Sequence, residues 1–385
     1  MSFPRSGIGR FTNLFFGCTT EIHHQKGVKI MYKKYTAMAV GIVLAAVSFV
    51  ASAADLKVGF IYVGPIGDHG WTYQHDQGRL AVEKEFGDRI ETIYVENIPE
   101  GADAERAITR LARQGVGLIF TTSFGFMDPT IKVAKRFPDV KFEHATGYKR
   151  SDNVATYSAR FYEGRYVNGQ IAARMSKSGV VGYIASFPIP EVVRGINAFM
   201  LGAQSVNPDF QVKVVWVNSW FDPGKEADAA KVLIDQGADV ITQHTDSPAP
   251  LQIAQEKGAL AFGQASNMFE FAPKAQVSAI VNNWAPYYVD RVRAVMDGTW
   301  ASQDVWRGMA EGMVEMAPYT NIPDDVAEMA RQTQAKIASG EMHVFSGPIK
   351  KQDGTMVIGE GEHLDDQTLL GMNWYVEGID DTLPQ

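Results

Sequence analysis

From Leu56 onward the chain alternates short apolar runs with longer stretches in which apolar residues recur every three or four positions. The runs are LKVGFIYV (56–63), IETIYV (90–95), VGLIFTT (116–122) and VKFEHAT (140–146), and the helical-period stretches between them cover 71–86, 102–113 and 127–136. Short runs separated by helical periods predict βαβ units, and therefore parallel strands covered by helices.

The pattern then repeats. GFIYVGPI (59–66) aligns with GYIASFPI (182–189), and LARQGVGLIFTTSF (111–124) aligns with LIDQGADVITQHTD (233–246), at nearly one spacing. Such self-similarity predicts a structural duplication. The expected fold is α/β, with two Rossmann-like lobes built on parallel sheets. Open parallel sheets bind ligands beyond the carboxyl ends of their strands. Two such lobes facing each other place Gly64 to Trp71 and Ser123 to Met127 opposite Phe187 to Arg194 and Thr245 to Pro248.

The stretch before Leu56 has a different character. MYKKYTAMAVGIVLAAVSFVASA (31–53) has Lys33 and Lys34, an apolar run and a closing Ala-Ser-Ala, which reads as a secretory signal cleaved after Ala53. The apolar run from Ala37 to Val50 falls short of the roughly 20 residues that span a bilayer. Residues 1–30 resemble neither leader nor domain and are expected to be an extension without function. Residues 1–53 hold six of the 36 Lys+Arg and one of the 44 Asp+Glu, so the remainder carries 30 basic against 43 acidic side chains, a balance of −13. That excess argues against nucleic acid or an anionic membrane as partner. The one cysteine, Cys18, lies in the discarded segment, so the exported chain is expected to have no disulfide and no thiolate.

No phosphate loop, GxGxxG, GxSxG or HExxH motif occurs. His69 and His75 lie six apart, which does not bring two imidazoles to one helix face, so no metal site is expected. Asp68 and Asp246, from opposite lobes, could exchange protons, but no nucleophile completes them. The expected cleft is instead rich in aromatics: Trp71, Phe124, Phe126, Phe187, Trp220, Phe221 and Trp284. Rings suit a planar heterocycle, which gains roughly 1–3 kcal/mol per stacked base. Phe126 and Phe221 fit the core equally well, and Asp68 fits a helix cap equally well.

Several segments resemble the basic membrane protein family of ABC-transporter solute receptors, whose members bind purine nucleosides. They are VGFIYVGPIGDHGW (58–71), VAKRFPDVKF (133–142), YEGRYVNGQIAARMSKSGVVGYI (162–184), FMLGAQSVNP (199–208) and SWFDPGKEADAAKVLIDQGADVI (219–241). The resemblance implies a type I periplasmic binding fold, three hinge crossings, a ligand enclosed between the lobes and delivery to a permease. It places the base-holding loop on Asp68 and Trp71 and an aromatic loop near Ser123 to Met127. Where the family has a ribose-binding aspartate and lysine, this chain has Ala265, after Gln264, and Val281. Neither side chain can hydrogen bond, so a free purine base, adenine first, is expected rather than a nucleoside.

The expected ligand-binding residues are Asp68, Trp71, Ser123, Phe124, Phe187, Trp220, Asp246, Gln264, Asn282 and Trp284. The first lobe is expected to cover 54–159 and about 284–318, the second 160–283 and about 319–385. The protein is expected to be a periplasmic monomer with no cofactor, serving an inner-membrane ABC permease. A nucleoside or other flat heterocycle is the alternative guest, and hydrolysis of such a compound the alternative activity.

Overall fold

The computed structural model describes residues 54–384; the leader and the extension lie outside them. The first half contains β1 (Leu56–Ile61), α1 (Trp71–Phe86), β2 (Ile90–Val95), α2 (Ala102–Arg113), β3 (Leu118–Thr121), α3 (Met127–Ala134), β4 (Lys141–Ala145) and β5 (Val154–Ala159). The second contains α4 (Tyr162–Met175), β6 (Val180–Ala185), α5 (Pro190–Gln204), β7 (Gln211–Trp216), α6 (Pro223–Asp235), β8 (Val240–Gln243), α7 (Ala249–Lys257), β9 (Leu260–Gly263) and β10 (Gln276–Asn282). The chain then runs through α8 (Ala285–Met296), β11 (Asp304–Arg307), β12 (Val314–Met316) and α9 (Asp324–Ala338). It ends with a small hairpin, β13 (Ile349–Lys350) and β14 (Met356–Ile358), and α10 (Asp366–Leu370).

Local sequence accounts for these elements. In α2 the buried residues Ala104, Ala107, Ile108, Leu111 and Ala112 form one helical stripe. Asp103 and Glu105 stand in its first turn and Arg110 and Arg113 in its last, each complementing the helix dipole. Helix α6 begins with an Asp222 carboxylate that accepts from the Lys225 amide, followed by Pro223 at the first helical position. Strands β3 and β8 are buried at every residue, as strands sandwiched between helices must be.

Two six-stranded sheets result, in the orders β11-β5-β4-β3-β1-β2 and β12-β10-β9-β8-β6-β7. The second order repeats the first strand for strand, so the duplication is structural. All pairings are parallel except that of β12 with β10, where Ile280 faces Met316 in antiparallel register. The chain passes between sheets three times: after β5, after β10 and between β11 and β12. Because Val314–Met316 pairs with β10, the last crossing falls between Arg307 and Val314 rather than near 318. One apolar core runs through both lobes, from Phe60 and Phe120 to Tyr183, Phe199 and Tyr375. Separate clusters fill the outer faces of each sheet.

Candidate functional site

The segments that leave the strand ends converge, as the topology requires. Between them lies a small cavity lined by Val63, Trp71, Ser123, Phe124 and Thr146 from the first lobe and Glu191, Trp220, His244, Asp246 and Gln264 from the second. The lobes touch around it. The amide of Gly70 donates to Ser266 Oγ at 2.8 Å and that of Trp71 to Asp246 Oδ1 at 3.2 Å. His69 Nε2 meets Glu270 Oε1 at 3.2 Å, with its ring edge-on to Phe271.

Helix α1 therefore points its N-terminus across the cleft at the Asp246 carboxyl group, whose oxygen accepts from the Trp71 amide. Gly70 makes this approach possible. Its φ of 94° is open to glycine, and a Cβ there would stand 2.7 Å from the Asp246 carbonyl oxygen.

The first lobe contributes aromatic surface. Trp71 is fixed by a 2.6 Å bond from Nε1 to the Thr122 carbonyl and lies edge-on to Trp284 and His75, themselves stacked at 4.7 Å. His75 is neutral, because complete burial holds its imidazole well below the ordinary value. Ser123 Oγ donates to Glu100 Oε1 at 2.5 Å, and Trp220 Nε1 reaches the same oxygen from the other lobe at 3.4 Å. A second, more open recess is lined by Asn97, Glu100, Phe187, Asn218 and Phe221, among others. Trp220 and Val63 line both the inner cavity and this outer recess.

The second lobe contributes polar groups. Burial, with the Glu226 carboxylate adding to it, pushes Asp246 up to about 8 against the Trp71 amide bond. Burial also raises Glu191, while the guanidiniums of Arg194 and Arg165 pull it back. His244 is held well below its ordinary value by burial and by Arg165 and Arg194, so its imidazole is neutral. Gln264 gives its Oε1 to the fully buried Arg165, which also donates to the Gln243 carbonyl and to Thr242 Oγ1. The amide Nε2 of Gln264 has no hydrogen-bond partner among the described residues.

Of the residues singled out from sequence, Trp71, Ser123, Phe124, Trp220, Asp246 and Gln264 meet at this cavity. Phe187 lines the outer recess, its ring 5.1 Å from Trp220. Trp284, at 1% exposure, stands behind Trp71 in the core, and Asn282 is fully buried with neither amide atom bonded. Asp68 is exposed outside the lining and does not cap α1, whose N-cap is Gly70. The expectation that a sugar would face Ala265 and Val281 also changes. Neither lines the cavity, because Ala265 takes a left-handed backbone (φ 58°) and is completely buried, leaving Gln264 as the wall. Glu191 and His244 were not singled out. The repeat alignment puts His244 one residue before the expected cleft segment, and Glu191 lies inside one.

A closable cavity between two duplicated α/β lobes defines a ligand receptor of the periplasmic-binding type. The model of the PnrA-like ABC transporter substrate-binding proteins matches residues 55–347, and the chain belongs to that family. It is 68% identical over 330 residues to a purine-binding protein of Brucella abortus, covering 86% of this chain and 94% of that one. A putative ABC transporter glucose-binding protein of Haloferax volcanii is 37% identical, with 86% and 81% covered. A solved ABC transporter solute-binding protein of Aeropyrum pernix shares the fold at 20% identity, with a TM-score of 0.66 over 82% of this chain and 95% of that one. Among the described residues no helix is long and apolar enough to cross a membrane, and no cluster of three metal-ligating side chains occurs.

Proposed function

We propose that this protein binds a purine base, adenine first, between its lobes in the periplasm and delivers it to the permease of an ABC importer. The observation that carries this is the shape and chemistry of the inner cavity: a small space walled by Trp71, Phe124 and Trp220 and edged by Glu191, His244, Asp246 and Gln264. Indole and phenyl faces stack on any base. The edge groups include hydrogen-bond acceptors and an amide donor, which is what a ring with exocyclic amino and ring nitrogen groups requires. The name of the Brucella relative supports the same guest.

Titration calorimetry with adenine, guanine, adenosine, inosine and glucose tests the reading. Tight binding of adenine is expected. Binding of adenosine or glucose with no response to free bases would overturn it.

A further inference from the structure

Two carboxylic acids face the inner cavity, and their surroundings differ. Asp246 has no guanidinium beside it; its neighbours are the Glu226 carboxylate on α6, the neutral His244 imidazole and the Trp71 amide. Glu191, in the first turn of α5, is flanked by two buried guanidiniums: Arg194, one turn further along α5, and Arg165 on α4.

Neither arginine makes an ion pair within 4 Å of a carboxylate among the described residues. Arg194 Nη1 donates to the Leu369 carbonyl, and Arg165 is spent on Thr242, Gln243 and Gln264. The Nε of each is buried without a partner. Burying two cations demands a nearby negative charge, and Glu191 is the acid whose charge both of them feel. The other titratable groups near it, Tyr183 on β6 and His244 beyond β8, are uncharged. The Glu191 carboxylate accepts no hydrogen bond among the described residues, although it lines the cavity.

We propose that Glu191, rather than Asp246, is the anion that selects the ligand, accepting the N–H edge of an uncharged heterocycle. This rests on the purine-receptor reading and adds to it a rule for which purines enter. Arg165 and Arg194 draw the Glu191 carboxyl towards its charged form, against the burial that raises it. Asp246 faces the same guest as a neutral carboxyl, able both to donate and to accept. Guanine satisfies Glu191 with two donors through N1–H and its 2-amino group, and adenine does so through its 6-amino group beside N7–H in the 7H tautomer. One that is itself an anion, such as urate at neutral pH, is repelled.

The test is calorimetry at neutral pH on wild type, Glu191→Gln and Asp246→Asn, with adenine, guanine, hypoxanthine and urate, and with melting curves as a check on folding. Replacing an ionised acceptor by an amide is expected to weaken purine binding roughly 100-fold, the scale of a hydrogen bond to a charged group. Asp246→Asn, which preserves a neutral donor and acceptor, is expected to stay within about tenfold of wild type. Should Glu191→Gln fail to fold, wild type alone decides through its ranking of neutral purines above urate. The inference is overturned if wild type binds purines and Glu191→Gln binds them equally, or if wild type takes urate as tightly as adenine. Silence of wild type towards every purine would overturn the receptor reading and this inference together.

Discussion

In the first lobe the chain leaving β1 and β3 presents Trp71 and Phe124 to the cleft. In the second, the chain leaving the equivalent strands β6 and β8 presents Glu191, His244 and Asp246. The backbones around them are alike in detail. Asn97 and Asn218, each two residues beyond an equivalent strand, share a positive φ, of 57° and 51°. Thr146 and Ala265, just beyond β4 and β9, do the same at 63° and 58°. A left-handed turn costs a β-branched or alanine residue about 1–2 kcal/mol, yet both copies hold it where the strand gives way to the cleft. Backbone geometry therefore belongs to the shared plan, whereas side chains divide the labour: the first half brings Trp71 and Phe124, the second brings most of the polar groups together with Trp220. A planar guest with a polar rim needs both ring faces and polar groups, so a perfectly symmetric pair of lobes would serve it poorly.

The most severe way to break this division is to keep the halves apart. Gly70→Ala places a Cβ against Asp246 and is expected to cost roughly 100-fold or more in affinity, from strain and clash together. Small-angle scattering would show the open form persisting in saturating ligand. Next in size, Trp71→Ala removes the stacking face, and a loss of about 10- to 100-fold is expected by calorimetry.

A smaller effect comes from pH. The closed-state Asp246 stands at about 8, above its ordinary value of 3.8, so closing the lobes takes up a proton in the window between them. Its contribution to closure is complete below the lower value and is lost as pH rises through the upper one. Affinity is therefore expected to fall about fivefold between pH 7 and pH 8 and to become flat in Asp246→Asn. Smallest of all is Asp68→Ala. An exposed acid outside the cavity is expected to leave affinity and melting temperature unchanged, and a clear loss would restore it to the site.

The lobes were legible because each strand and helix carries its own signal. The apolar runs end where the strands end, and the stripe in α2 matches its buried face. Trp71 and Asp246 were legible as cleft residues because they belong to the segments that follow β1 and β8, which topology alone brings together. Glu191 was hidden for a physical reason: an acid in a first helical turn also complements the helix dipole. What marks it out is the pair of guanidiniums beside it, and Arg165 comes from a helix 26 positions earlier in the chain. His244 follows a strand buried on both faces, where no alternation reveals which side chain turns to the cavity. Asp68 misled because a glycine already provides the N-cap of α1.

The Trp220 indole stands with Val63 where the inner cavity meets the outer recess. Replacing Trp220 by alanine is expected to open the one towards the other, whose far side offers Asn97, Asn218 and Glu100. A bulkier guest carrying hydroxyl groups could then be housed without altering either sheet. In a scaffold of this kind, the size of the cargo is set by the thickness of one wall.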